Sequence, residues 1–201
     1  MAKHIQHLSL AVFMLALASC GSSTGPYGLP KGEFWNQLTS LCGNAYEGRV
    51  TTTYSADRDW RRERLILDVA ECDADGVLIN FNIGDDRTRT WTITPREDGT
   101  IGYHIGRDEG TGPGLTGYGG ISVEGPDALA QVFPIDEPSK AMFEEIRLIL
   151  SLQNVWSLTF DPGAGTLTYH VQRIDSERGM QFDISSPVSV ETPDGWEAVD
   201  F

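Results

Sequence analysis

Apolar side chains return at every second position through most of this 201-residue chain, and that period admits little besides half-buried β-strands. Leu65, Leu67 and Val69 alternate with Ile66, Asp68 and Ala70, and Val77, Ile79, Phe81 and Ile83 alternate with Leu78, Asn80 and Asn82. Arg87, Arg89, Trp91 and Ile93 share one face of a run whose other face is Thr88, Thr90, Thr92 and Thr94, ended by Pro95. Ile101, Tyr103 and Ile105 follow, opposed by Gly102, His104 and Gly106. Near the C-terminus come Trp156-Leu158-Phe160, Leu167-Tyr169-Val171 and Met180-Phe182-Ile184. Residues 49–54 and 131–133 add two shorter candidates. Asp73-Ala74-Asp75-Gly76 and Asp98-Gly99 are tight-turn sequences, because Asp and Gly tolerate left-handed backbone angles; residues 161–165 and 175–179 read as hairpin connectors.

Eight to ten short strands joined in sequence predict a mostly β fold, a closed antiparallel up-and-down barrel. Closure would remove the exposed edges of so large a sheet. A two-sheet sandwich is the alternative. Two helices interrupt the pattern. Residues 33–41 place Phe34, Leu38 and Leu41 at helical spacing with Gly43 as a stop, which suits a plug. Asp136 and Pro138 open a second, with Met142, Phe143, Ile146, Ile149 and Leu150 as its apolar stripe. Residues 110–120 hold six glycines and a proline, the composition of a surface loop or lid. No repeat or second linker divides residues 32–201, which read as one domain.

Upstream, Lys3 precedes an apolar run from Leu8 to Ala18, too short for the ~20 residues of a membrane span. Leu17-Ala18-Ser19-Cys20 resembles the lipobox of bacterial lipoproteins. That resemblance implies a signal peptide over residues 1–19, cleavage before Cys20, and lipid on its sulfur and amine. Residues 20–31 then form a flexible tether to a membrane anchor. In the same pattern Gly21 implies an outer-membrane lipoprotein, facing the periplasm or the surface. The alternative is a plain secretory peptide cut nearby. Loss of Lys3 with the signal moves the formal charge from -14 to -15, which makes nucleic acid an unsuitable partner. With Cys20 assigned to lipid, Cys42 and Cys72 remain as a pair, expected as a disulfide in an oxidising compartment; two buried free thiols are the competing reading.

The strand pattern is similar to that of the calycins, lipocalins among them, which implies small-molecule binding in a barrel mouth. Phe34-Trp35-Asn36-Gln37-Leu38, Leu41-Cys42-Gly43, residues 86–91, Tyr118-Gly119-Gly120 and Asn154-Val155-Trp156 also resemble a family of bacterial secreted proteins, from which no activity carries over.

Arg87 and Arg89, on the face of Trp91, are the candidate ligand residues, with Tyr103 and Tyr118 completing an amphipathic pocket. The expected ligand is small and partly apolar, an anionic group being an open option. The same arginines could instead pair with Asp85 or Asp86. A protein-interaction or structural role without catalysis is the second reading. A hydrolase built on His104 or His170 is the third, and it requires a serine or carboxylate within reach of one ring. No residue is singled out as catalytic. Two histidines without set spacing do not make a metal site, and no cofactor motif stands. Residues 112–117 spell G-x-G-x-x-G but open no helix after a strand. Residues 71–76 resemble the start of a calcium loop whose twelfth position would be Asn82, where a glutamate is needed.

Overall fold

The alternating runs become strands with their apolar faces turned to a shared interior, but the candidate at 49–54 is displaced: the first strand is Ala45–Val50, and residues 51–54 lie on the loop after it. The computed structural model describes residues 24–107 and 115–190, so the lipobox, Cys20 and residues 110–114 of the glycine-rich stretch lie outside the described residues. The strands are β1 (Ala45–Val50), β2 (Leu65–Cys72), β3 (Val77–Ile83), β4 (Asp86–Pro95) and β5 (Ile101–Arg107). They continue with β6 (Tyr118–Ile121), β7 (Ala130–Pro134), β8 (Val155–Asp161), β9 (Thr166–Gln172) and β10 (Glu177–Asp183). All ten form one antiparallel sheet in the order β6-β5-β4-β3-β2-β1-β10-β9-β8-β7. The sheet curls into a nearly closed barrel, which decides against the sandwich.

Its last gap, between β6 and β7, is a seam rather than a ladder. Gly120 bridges Ile135, and the Asp136 amide donates to the Gly119 carbonyl at 3.1 Å. Glycine is required here because backbone crowds both positions. A Cβ on Gly119 would lie 1.9 Å from the Tyr103 carbonyl oxygen, and one on Gly120 would lie 2.2 Å from that of Pro134.

Register sets what fills the interior. Trp91 pairs with Ile105 and Ile93 with Tyr103 across β4 and β5, while Trp156, Leu158 and Phe160 face Val171, Tyr169 and Leu167 across β8 and β9. All of these side chains are buried. Helix α1 (Glu33–Thr39) plugs one end with Phe34, Trp35 and Leu38, and the Phe34 ring meets Phe160 edge-on at 5.6 Å. The plug is hydrogen-bonded in place: the Phe34 amide donates to the Pro126 carbonyl and Gly43 to Val69.

Cys42 and Cys72 lie at disulfide distance, their Cα atoms 6.2 Å apart, and join the end of the plug to β2. Their separation of 30 residues makes the cross-link worth roughly 3.6 kcal/mol in the chain-entropy account. A Cys42→Ala/Cys72→Ala variant is expected to lose about that amount in a urea titration, while its far-ultraviolet spectrum stays β-rich because the plug keeps its buried aromatics.

Helix α2 (Glu137–Glu145) starts where Asp136 predicts, its side chain accepting from the Ser139 amide. Its expected stripe is only partly used. The helix stops at Glu145 and buries Phe143, while Ile146, Ile149 and Leu150 are exposed with Leu148. Arg147 adopts φ 61°, which turns the chain out of the helix before the stripe can continue. No described helix is long and apolar enough to cross a membrane.

Candidate ligand site at the open end of the barrel

Among the described residues, the end opposite the plug is built by residues 51–64, 84–85, 115–117, 135–154 and 173–176. Residues 51–64 hold two short 3-10 turns, Ser55–Asp57 and Trp60–Arg62, and lean over the opening. Beneath them is a cavity of about 220 Å³. Its floor is aromatic: Trp91 stacks on Phe81 at 4.9 Å and on Tyr169 at 4.7 Å, with interplanar angles of 28° and 19°. Tyr118 and Trp156 form one wall, with ring centroids 6.2 Å apart.

Arginines line the rim. Two guanidinium groups lie over the Trp60 ring, Arg178 4.1 Å and Arg89 5.3 Å from its centroid, distances at which cation and ring face attract. Arg178 donates to Asp57 Oδ1 at 2.6 Å, and Arg89 pairs with Asp86. Asp57 is 0% exposed, and its Oδ2 has no hydrogen-bond partner. The loop is therefore held by a buried ion pair and a stacked indole. Arg173 also lines the cavity, and its side chain makes no hydrogen bond or ion pair among the described residues. Burial pushes the Tyr169 hydroxyl well up, its proximity to Tyr118 adding to the effect, so it stays a neutral donor under physiological conditions.

Of the expected ligand residues, Arg89, Trp91 and Tyr118 meet at this cavity. Tyr103 does not reach it. It is fully buried beside Trp91, Phe133 and Tyr169, with its hydroxyl unpartnered and raised in pKa by burial. Arg87 departs from the expected shared face. Phe81 pairs with Arg89 and Ile83 with Asp86, so β4 carries one extra residue opposite Asn82. That bulge turns Arg87 outward, against Ile66, Asn82 and Val190. The alternative ion pair expected for the arginines is present for Arg89, with Asp86.

Trp60, Asp57, Arg173 and Arg178 were not anticipated. The available signal was Trp60 itself, a lone indole inside the charged run from Asp57 to Arg64, which must find cover somewhere.

Both histidines lie outside this cavity. His104 Nε2 is 3.0 Å from Asp136 Oδ2, and His170 Nε2 is 3.3 Å from Glu177. Each thus meets a carboxylate, but among the described residues no serine hydroxyl hydrogen-bonds to either ring. Ser139 approaches Asp136 rather than His104, and its Oγ accepts from the Gly119 amide. Burial raises the Asp136 carboxyl, but hydrogen bonds from Ser139 and His104 outweigh it and hold the group below its usual range. The stability that Asp136 gives to the seam is present above the ordinary aspartate range and is lost as pH falls through its lowered folded value. Asp73 accepts from the Asp75 and Gly76 amides, as a turn residue does. No protein family, curated protein or solved structure matches this chain.

Proposed function

We propose that this protein is a lipid-anchored component of the bacterial envelope that binds a small, partly apolar, anionic ligand in the mouth of its barrel. The observation that carries the binding role is the cavity itself: an aromatic floor under a rim of arginines, in a chain with a formal charge of -14. The site is concave and joins aromatic faces to convergent guanidinium groups, the kind of polar group that fixes a small molecule's orientation. The anchor rests on the lipobox at Cys20. The described chain begins on the plugged side, where a Cβ on Gly28 would lie 3.2 Å from Ala74 in the turn between β2 and β3. A tether from Cys20 would therefore hold the plugged end toward the membrane and leave the mouth pointing away.

Native mass spectrometry of gently purified protein is expected to show a carried small molecule. Trp60→Ala should lose that mass and also lower the unfolding midpoint, because the indole packs on Phe81 and under two guanidinium groups; Arg173→Ala, at an exposed residue, should weaken binding at a midpoint close to wild type. An unliganded wild-type spectrum under several gentle conditions would end the binding reading. Intact-mass analysis of envelope material tests the anchor separately, through a diacylglyceryl adduct that Cys20→Ala abolishes.

A second reading, contact with another protein, has one observation of its own. Ile146, Leu148, Ile149 and Leu150 form an exposed aliphatic segment on the same open end, with Ile174 on the connection between β9 and β10. Crosslinking in cells should then return one reproducible partner attached within residues 146–150 or at residue 174.

A further inference from the structure

We propose that the ligand taken at the mouth is a planar aromatic monocarboxylate. This rests on the binding role argued above and narrows it by charge, shape and size.

Charge comes first. Three guanidinium groups line the cavity, those of Arg89, Arg173 and Arg178, and two carboxylates, Asp86 and Asp57, are paired with them. Among the described residues the balance is one positive charge, which a monoanion neutralises and a phosphate dianion overshoots. The pairs do not exhaust the donors. Arg89 engages Asp86 through one terminal nitrogen, Arg178 engages a single oxygen of Asp57, and the Arg173 side chain makes no hydrogen bond or ion pair among the described residues. A guanidinium has N–H groups left over after such pairings, in the fork geometry that matches a carboxylate.

Shape comes second. The buried Phe81, Trp91 and Tyr169 rings stack on one another, so the flat groups that line the opening are the half-buried Tyr118 ring and the guanidinium groups of Arg89, Arg173 and Arg178. Arginine planes and ring faces both favour a flat partner in offset or edge-to-face contact. A flexible acyl chain would forgo that geometry and lose rotamer freedom on entering. Size comes third. A volume of about 220 Å³ lies below the usual range for drug-sized ligands, which suits one or two fused rings with a short acidic arm and excludes long lipids.

The test is calorimetric titration of the full chain in lipid nanodiscs with 2-naphthoate, 2-naphthalenemethanol, 2-naphthyl phosphate and decanoate, at a pH where the phosphate is a dianion. The expected result is one naphthoate per chain, bound about tenfold or more tighter than each of the other three, the worth of one charge-assisted contact. Arg173→Ala should weaken naphthoate by about tenfold and leave the alcohol nearly unchanged, because it removes an ionic contact without opening the loop clamp. If decanoate or the phosphate binds as tightly as naphthoate, the ligand class is wrong while the mouth stands as a binding site. If naphthoate binds but neither Arg173→Ala nor Trp60→Ala alters it, the site is elsewhere and the proposal falls. If none of the four probes binds, the proposal falls as well. The broader reading then falls only if native mass spectra also carry no small molecule.

Discussion

Replacing Asp57 by alanine is expected to release residues 51–64 from the barrel mouth and to lower stability by about 3 kcal/mol. Removing one partner of a buried ion pair typically costs 3–5 kcal/mol, roughly, because the other charge is left without compensation. The low end applies here, since the Arg178 side chain is 27% exposed and can rehydrate once Asp57 is gone. The segment has its own reporter. Arg58, Arg61, Arg62 and Arg64 are trypsin sites on the clamped loop, so limited digestion should cut there first and faster in Asp57→Ala than in wild type. Urea titration gives the global term. A wild-type cleavage rate together with a wild-type midpoint would show that the pair does not hold the loop. The double change Asp57→Leu/Arg178→Met separates stability from function, because exchanging a buried pair for apolar groups of similar size is often neutral. It should recover the midpoint and still lose acid binding.

The clamp also shows where reading the chain alone stops. The barrel wall was legible because most strands turn one packed face inward, although β3 is buried on both faces at Asn80 and Asn82. Leu65-Leu67-Val69 and Trp156-Leu158-Phe160 therefore announce their own orientation. Asp136 announced the start of α2 because its side chain completes a local hydrogen bond to Ser139. Arg87 was misplaced for a reason no periodicity carries. A bulge depends on what the partner strand offers, and only the pairing of Ile83 with Asp86 reveals the extra residue. Tyr103 was placed correctly on the inner face but lies too deep in the packing to line the cavity. The stripe of α2 failed because spacing says which residues could share a face, whereas the left-handed turn at Arg147 decides that Ile149 and Leu150 never join it. Asp57, Trp60 and Arg178 come from two segments far apart in the chain, and their meeting is purely tertiary.

The seam is the other place where a small change should have a large effect. Gly119→Ala is expected to cost about 3 kcal/mol or more, beyond ordinary overpacking, because the colliding atoms are main chain and no side chain can move aside. The added Cβ meets the Tyr103 carbonyl carbon as well as its oxygen, at 2.8 Å and 1.9 Å, so β6 must separate from β5 or abandon the seam. Either movement strains the contacts that close the ring, since Gly119 also donates to Ser139 Oγ at 2.8 Å and accepts from the Asp136 amide. Opened there, the sheet presents β6 and β7 as free edges, and free edges pair with other chains. The variant should therefore unfold at lower urea and scatter light on standing, both effects being strongest at acid pH, where Asp136 has also given up its hydrogen bonds. Gly125→Ala is the matched control, because nothing lies within 4 Å of its would-be Cβ. If the two variants differ by less than about 0.5 kcal/mol, the ordinary scatter of surface substitutions, then the close approach at Gly119 does not close this barrel.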